Sequence, residues 1–417
     1  MTKHDHISVE EYRYTLPESS IARYPLEDRE QSRLLFFDGQ LVHHHTFHQL
    51  PDLLPSGSWL VFNNTKVIQA RLTFRKLTGA RIEVFCLEPV EPADYQQSFG
   101  SYRSCTWKCM VGNARKWKTG KISLETNCYG QEIRLDAWME KQLEDSYLVR
   151  FEWDAEGCTF SEIIEGAGTT PIPPYLNRSA EEEDKHRYQT VYSRDPGSVA
   201  APTAGLHFTA EVLANLSGKG VPSGELTLHV GAGTFVPIKQ EDARAHSMHA
   251  ETVLVSTGFL EYWAAHTNGL IAVGTTTTRS LETLYWLGAG LICGHKPDPA
   301  QIEFMQWDNE KIPQDIPLEE SINALIGYCR EHNMEYLEFT TSLMIVPGYR
   351  FRTISGLITN FHMPGSTLLL LIAALIGDHW KQVYDDALEK GYRFLSYGDS
   401  SLLLPGAGGS GQERTDQ

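Results

Sequence analysis

The sequence predicts an α/β protein in which a larger sheet domain is interrupted by a small all-β barrel. Two patterns carry that prediction. In three places an apolar, strand-like run stops at a turn rich in Gly, Pro and Thr, and a helix pattern follows. These are VAAPTAGLHF (Val199 to Phe208) running into a helix over Phe208 to Leu216, IAVGTTTTRSLETLYWL with its apolar run Leu270 to Val273 ending at Gly274, and GLITNFHMPGSTLLLLIAALIG, which turns at His362-Met363-Pro364-Gly365. From about Leu72 to Trp153 the pattern changes to short alternating runs separated by Gly, Asn and Pro, enough for about six strands of a small barrel or sandwich. The expected boundaries are 1–71 with 154–405 for a discontinuous α/β domain, 72–153 for the inserted barrel, and a tail over 406–417 (GAGGSGQERTDQ) too polar and Gly-rich to order.

At 417 residues both parts can bury a core, and 41% apolar with 21% charged residues is the balance of a soluble globular chain. Seven cysteines (86, 105, 109, 128, 158, 293 and 329), an odd set without a CxxC pair, read as the reduced thiols of an intracellular protein. MTKHDHISVEEYRY is charged from its start, unlike a signal peptide. The longest apolar run, Leu368 to Ile376, falls short of the ~20 residues of a membrane span and reads as a buried helix. A cytoplasmic, non-membrane monomer is expected. The net charge of −17 argues against general nucleic-acid affinity, but it is unevenly spread. From Lys66 to Lys121 eleven Lys and Arg face Glu83, Glu88, Glu91 and Asp94, net +7; from His295 to Tyr336 three basic residues face nine acidic ones, net −6.

In chain order, Tyr12 to Leu16 alternates as a strand, Pro17 to Ala22 reads as a turn or short helix, and Arg33 to Phe37 as a strand ended by Asp38-Gly39. His43, His44, His45 and His48 fall on both faces of the next strand, which favours hydrogen-bonded or solvated imidazoles over a metal site. SWLVFNNTKVIQARL is a buried strand ended by the turn formers Asn63 and Asn64; Asn64, Lys66 and Arg71 are candidates for an anion-facing role. Within the barrel, VGNARKWKTGK is a loop bearing Arg115, Lys116, Lys118 and Lys121 around Trp117, cations interleaved with an exposed aromatic as in an RNA-contacting loop.

Beyond the barrel, PIPPYLNR is stiff and extended because proline fixes its own φ and restrains its predecessor. EEEDKHRYQTVYS predicts a helix delivering the chain to the first turn. LTLHVGAGTFVPI is a strand broken by Gly231-Ala232-Gly233, where backbone can approach a ligand closely. HSMHAE sets His246, His249 and Glu251 together; without a further ligand nearby, no metal is expected. The acidic segment contains an amphipathic helix over Leu318 to His332.

The three strand–turn–helix stretches bear on function together. First-turn helix amides are unpaired and partly positive, so they cradle carboxylates, phosphates or ribose hydroxyls, and in an open α/β sheet such turns gather along the carboxyl edge. Two of the three carry a histidine, His207 and His362.

Taken together, LPESSIARYP, SRLL, LVFNNTKVIQARL, PIPPYLNR, YQTVYS, GSVAAPTAGLHFT, LTLHVGAGTF, HSMHAE, IAVGTTTTRSLE, ITNFHMPGSTLL and YRFLSYGD resemble, in the same order and over nearly the whole chain, the S-adenosylmethionine:tRNA ribosyltransferase-isomerase family of queuosine biosynthesis. The resemblance implies an α/β domain with an inserted β-barrel. It also implies transfer and isomerisation of the ribosyl part of S-adenosylmethionine onto 7-aminomethyl-7-deazaguanine in tRNA, giving epoxyqueuosine, adenine and methionine. S-adenosylmethionine would be a substrate, with no resident cofactor and no metal. The chain departs from the family pattern in an acidic insertion near 295–338, in Thr340 and Met344 where many members carry an acidic residue and a phenylalanine, and in Asn113 and Trp117 where members often carry serine and proline. An altered choice of RNA is an alternative those departures raise.

A sulfonium acidifies its neighbouring C–H bonds, so the implied reaction needs a base near the ribose 5′ carbon and an acid for departing adenine. His207, His229, His249 and Glu251 are the candidates, with His362 beside them. Thr203, Gly205, Gly231, Gly233, Thr275, Thr276, Arg279, Asn360 and His362, with Asn64, Lys66 and Arg71, are candidate substrate ligands; Arg115, Lys116 and Lys118 are candidate RNA contacts. A methyltransferase using the same donor would show a Gly-rich loop after its first strand and an acidic ribose ligand beyond it, and neither is evident. A non-catalytic RNA-binding relative is the other alternative.

Overall fold

Trp59–Asn63, Leu270–Val273 and Gly356–Asn360 are buried at every position, as strands must be when a sheet is covered on both faces. The computed structural model, which describes residues 6–76, 78–117, 119–128, 130–155, 157–231 and 238–406, sets them side by side in one ten-stranded sheet. In hydrogen-bonded order the strands are Glu303–Phe304, Tyr336–Thr341, Glu251–Ser256, Ser223–His229, Trp59–Asn63, Leu270–Val273, Gly356–Asn360, Ser400–Leu403, Arg33–Phe37 and Val42–Thr46. The four from Ser223–His229 to Gly356–Asn360 are mutually parallel. Glu251–Ser256 runs antiparallel to Ser223–His229, and Ser400–Leu403 antiparallel to Gly356–Asn360. One edge therefore gathers His229, Asn63 and Asn360 at strand ends and Gly274 just past one, with Glu251 at a strand start and Asp399 just before another.

The chain divides into two compact units: Met1–Thr65, Thr190–Arg194 and Pro202–Gln417 in one, Lys66–Gln189 and Asp195–Ala201 in the other. The first holds the ten-stranded sheet. In the second, Arg71–Arg75, Arg81–Glu91, Ser104–Gly112, Tyr147–Trp153, Gln131–Gln142 and Ile122–Cys128 pair in that order, and a contact between the first and last closes a six-stranded barrel. The protein is thus a larger α/β domain with an inserted β-barrel.

The helix Thr275–Ile292 follows its strand directly, and Gly274 between them has φ +98°, a conformation glycine adopts without strain. Its polar residues are buried. Thr277, Thr278, Ser280 and Thr283 satisfy their hydroxyls on the carbonyls of Val273, Gly274, Thr276 and Arg279, at 2.7, 3.1, 3.1 and 2.8 Å. Glu282, fully buried, accepts from Tyr349 Oη (2.6 Å), the Arg352 and Thr353 amides (3.1 and 2.9 Å) and Thr353 Oγ1 (2.6 Å). The helix Thr367–Ile376 is capped by Ser366 Oγ, which accepts from Leu369 N at 3.2 Å. No helix among the described residues is long and apolar enough to cross a membrane.

Several local expectations are corrected. Tyr12 to Leu16 is no strand: its start lies in a 3₁₀ turn, Val9–Tyr12, and the Tyr12 carbonyl is taken by Gly365 N at 2.9 Å. The first of the three turns differs from the other two, because Thr203–His207 is itself a short 3₁₀ helix and the α-helix, Ala210–Gly218, begins only after the cap Thr209. Phe208 is held out of that helix by packing edge-on against Phe47 and Phe62, 4.9 and 5.0 Å away.

The expected helix over EEEDKHRYQTVYS shrinks to Asp184–Arg187. Gln189 explains the stop, since its amide donates to Val67 O (2.7 Å) and accepts from Val67 N (3.0 Å) as an added strand would. Cys128 and Cys158 form a disulfide, against the expectation of seven thiols; helix Phe160–Ala167 lies against strand Ile122–Cys128, where an alanine Cβ at Gly166 would sit 2.7 Å from Asn127 O. Trp117 is buried, its Nε1 donating to Gly120 O at 2.9 Å, so no exposed aromatic sits in the cationic loop. Gly233, Lys118 and all of the tail but Gly406 lie outside the described residues.

The helix Leu318–Glu331 of the acidic segment packs against Thr275–Ile292 at Gly288, where a Cβ would meet Ser321 O at 2.1 Å. Gly288→Ala should push the two helices apart at a cost of ~1–3 kcal/mol, read as a lower denaturant midpoint; an unchanged midpoint would refute that close approach.

Candidate active site

The carboxyl edge of the sheet has two halves with different character. Around the ends of Gly356–Asn360 and Ser400–Leu403 the polar groups are packed shut. His207 is buried with both ring nitrogens engaged, Nδ1 with Ser32 Oγ at 2.7 Å and Nε2 with Asn360 Nδ2 at 3.1 Å. Because the amide donates, the ring is neutral at Nε2 and carries its hydrogen on Nδ1. Burial, helped by the charges of Arg393 and Arg29, pushes its pKa down to about 3. His362 is equally enclosed, with Nδ1 on Tyr384 Oη at 3.2 Å and Nε2 on Thr359 Oγ1 at 3.3 Å, and burial lowers its pKa to about 3.

Around the end of Ser223–His229 and the start of Glu251–Ser256 the histidines are partly exposed. His229, partly exposed, stands in register with Thr252 and contacts Thr65 Oγ1 through Nδ1 at 3.1 Å. Glu251 is wholly buried. Its Oε2 lies 2.8 Å from Arg279 Nη2, whose side chain is only 5% exposed, and its Oε1 lies 3.4 Å from Nε2 of His249, whose side chain is 31% exposed. A buried carboxylate thus meets a buried cation on one side and a solvent-facing imidazole on the other. Gly231 adjoins the same imidazole: a Cβ there would stand 3.6 Å from His249 Cδ2.

Arg279 is one turn along from Thr275 on the same helix, and Thr283, one turn further, shares a 2.7 Å hydrogen bond with Thr341 Oγ1. Thr341 is the register partner of Glu251. Thr275 and Thr276 open the helix with no side-chain cap, and Ala204, beside Thr203, approaches Gly274 closely. Gly205 serves packing, since a Cβ there would strike Tyr192 Oη at 1.9 Å.

The structure brings His229, Gly231, His249, Glu251 and Arg279 together and sets Thr203, Thr275 and Thr276 near the end of the next strand but one. Asn64 is committed elsewhere: its Oδ1 accepts from Thr227 Oγ1 at 2.7 Å and its Nδ2 donates to Glu225 at 3.3 Å. Lys66, Arg71, Arg115 and Lys116 belong to the other compact unit, where Arg71 pairs with Glu83 at 3.0 Å. Among the described residues no group of three His, Cys, Asp or Glu could hold a metal ion.

Sequence reasoning missed Asn63, whose Oδ1 and Nδ2 bind Leu228 N and Leu228 O, both at 3.0 Å, and so fix the strand leading to His229. It also missed Gln306. That side chain accepts from Met248 N (3.0 Å) and donates to His246 O (2.7 Å), clamping the loop that presents His249, while Arg244 behind it lies over Trp307 at 4.3 Å and pairs with Glu310 at 2.7 Å. Nothing near Gln306 in sequence signals this, because its partners are about sixty residues away.

Two stability measurements follow. Arg279→Met strands the Glu251 charge without its counterion, so the denaturant midpoint should report a loss of ~3–5 kcal/mol; a residue whose partner is only a ligand would leave stability nearly unchanged. His207 and His362 have folded pKa values below the ~6.5 of the unfolded chain, so below that value the unfolded state binds more protons. Their stabilisation is complete above about pH 6.5 and falls towards about pH 3, by up to ~1.4 kcal/mol per pH unit for each ring. Urea midpoints at about pH 7 and about pH 5 should differ accordingly, and less so in His362→Gln; equal midpoints would contradict burial as the cause.

Comparison with known proteins shows the family. A family model described as "Queuosine biosynthesis protein" matches residues 9–403. An S-adenosylmethionine:tRNA ribosyltransferase-isomerase from Gloeobacter violaceus is 37% identical over 402 residues, covering 95% of this chain and 96% of that one. The protein of that name from an Anaeromyxobacter species is 35% identical, covering 94% and 98%. A solved S-adenosylmethionine tRNA ribosyltransferase from Thermotoga maritima is 27% identical with a TM-score of 0.44, covering 94% of this chain and 100% of that one. With a match from residue 9 to residue 403 and relatives aligned almost end to end, the chain belongs to the S-adenosylmethionine:tRNA ribosyltransferase-isomerase family of queuosine biosynthesis proteins.

Proposed function

We propose that this protein is a cytoplasmic enzyme that transfers and isomerises the ribosyl moiety of S-adenosylmethionine onto the aminomethyl group of 7-aminomethyl-7-deazaguanine in tRNA, giving epoxyqueuosine and releasing adenine and methionine. The observation that carries this reading is a partly exposed histidine at the sheet edge, His249, beside the buried Glu251–Arg279 pair, in a chain alike over nearly its full length to relatives named for that reaction. S-adenosylmethionine enters as a substrate.

The roles follow from chemistry. Arg279 pairs with Glu251, and the Glu251 carboxylate in turn stabilises the imidazolium that forms when His249 accepts a proton. Nε2–H of His249 points to the carboxylate, leaving Nδ1 as the accepting atom for a proton on the carbon next to the sulfonium. His229 is the second proton-transfer group, suited to protonating departing adenine. The uncapped amides of Thr275 and Thr276, with Thr203 alongside, offer donors to ribose hydroxyls and the donor carboxylate. His207 and His362, with their ring nitrogens occupied, hold the neighbouring turns in shape.

Incubation with S-adenosylmethionine and substrate tRNA tests the reading. Adenine and methionine are the expected products; S-adenosylhomocysteine would mark a methyltransferase, and no turnover a binding protein. His249→Ala and His229→Ala should each slow adenine release by more than about tenfold, or ~1.4 kcal/mol of barrier. If both variants keep rates within about threefold of the parent, the catalytic assignment is wrong.

A further inference from the structure

We propose that the barrel face bearing Arg75, Lys76, Arg81, Arg115 and Lys116 docks the phosphate backbone of RNA, an inference that rests on the tRNA-modifying reading above. Arg75 and Arg81 are direct register partners across the antiparallel strands Arg71–Arg75 and Arg81–Glu91. Side chains so paired leave the same face of the sheet ~5 Å apart, where like charges repel. The carboxylate that the register sets on the same face, Glu83, is paired with Arg71. None of the five cations is ion-paired among the described residues, whereas elsewhere on the barrel Lys108 pairs with Glu88, Lys121 and Arg134 with Asp136, and Arg150 with Glu152. Like charges set side by side without an ion pair among the described residues, on a chain of net charge −17, mark a surface that an anion completes.

The patch is held in place. Asn113 takes the left-handed conformation (φ +60°) and donates from Nδ2 to Arg81 O at 3.2 Å, which seats the 3₁₀ turn Ala114–Lys116 beside Arg81. Lys76 Nζ donates to Lys116 O at 2.9 Å, closing the other side of the turn. Trp117 is buried beneath as an anchor. Arg115 and Lys116 therefore project, exposed, from a fixed turn, with no aromatic among them to stack on a base. A surface of this kind grips phosphates without reading sequence.

The test is equilibrium binding of tRNA carrying 7-aminomethyl-7-deazaguanine to the full chain over a series of KCl concentrations. Arg115→Gln/Lys116→Gln should bind more weakly, with a log–log salt slope shallower by about 1.5, the sum of two lost phosphate contacts. Lys108→Gln, which removes an equal charge from an ion-paired site, should leave the slope unchanged. The proposal is overturned if the double variant matches the parent in slope and affinity, or if Lys108→Gln has the same effect. It is equally overturned if phosphatidylglycerol vesicles bind the parent and lose the double variant while tRNA does not. A parent that turns over S-adenosylmethionine with tRNA while the double variant binds normally discards the patch alone; a parent that neither binds nor turns over tRNA discards the functional reading with it.

Discussion

A carboxylate with no exposure, Glu251, lies 2.8 Å from a guanidinium that is almost as deeply enclosed. Desolvating two charges costs several kcal/mol each, and their attraction recovers that cost only while both stay in position. The demand fixes three elements at once: the start of the Glu251–Ser256 strand, the second turn of the Thr275–Ile292 helix, and, through the hydroxyl pair Thr283–Thr341, the end of the neighbouring strand. His249 inherits that rigidity. A histidine two residues before such a strand would otherwise ride on a loop, but here a carboxylate meets it on one side and Gln306 holds the backbone leading to it.

The sheet edge spends its histidines in two ways. His207 and His362 sit where water is excluded and every nitrogen is occupied, so they act as neutral cross-braces between a turn and a strand end. His229 and His249 are partly exposed, and one ring nitrogen of each meets a protein partner, Thr65 Oγ1 and Glu251 Oε1. Residue type alone could not separate these uses, because all four histidines stand in motif-like sequence. What separates them is burial, and that depends on which distant segment arrives on top.

Much of the architecture was legible beforehand for the same reason that it is stable. The run Leu270 to Val273 is apolar throughout, and Leu357-Ile358 follows suit, because both faces of the sheet are covered; the change to alternation beyond Leu72 marks strands with one face inward. The errors fell where one side chain overrides a local pattern. Gln189 acts as a strand for Val67 and ends a helix that charge and periodicity favoured; Phe208 prefers two aromatic partners to the helix that follows it. Trp117 looked exposed because cations surround it in sequence, yet those same cations stand clear of the barrel only because the indole is sunk beneath them. Gln306 and the Cys128–Cys158 link depend on contacts from far along the chain, and no local pattern encodes them.

The helix Thr275–Ile292 carries opposite buried charges three residues apart: Arg279, spent on Glu251, and Glu282, spent on the amides and hydroxyls of residues 349–353. Such a helix behaves as a keyed shaft. It can neither turn about its axis nor slide along it without tearing one key from its slot. Its amino end is therefore a fixed datum for whatever binds there, and a loop rearrangement on substrate entry must go around this rod rather than through it.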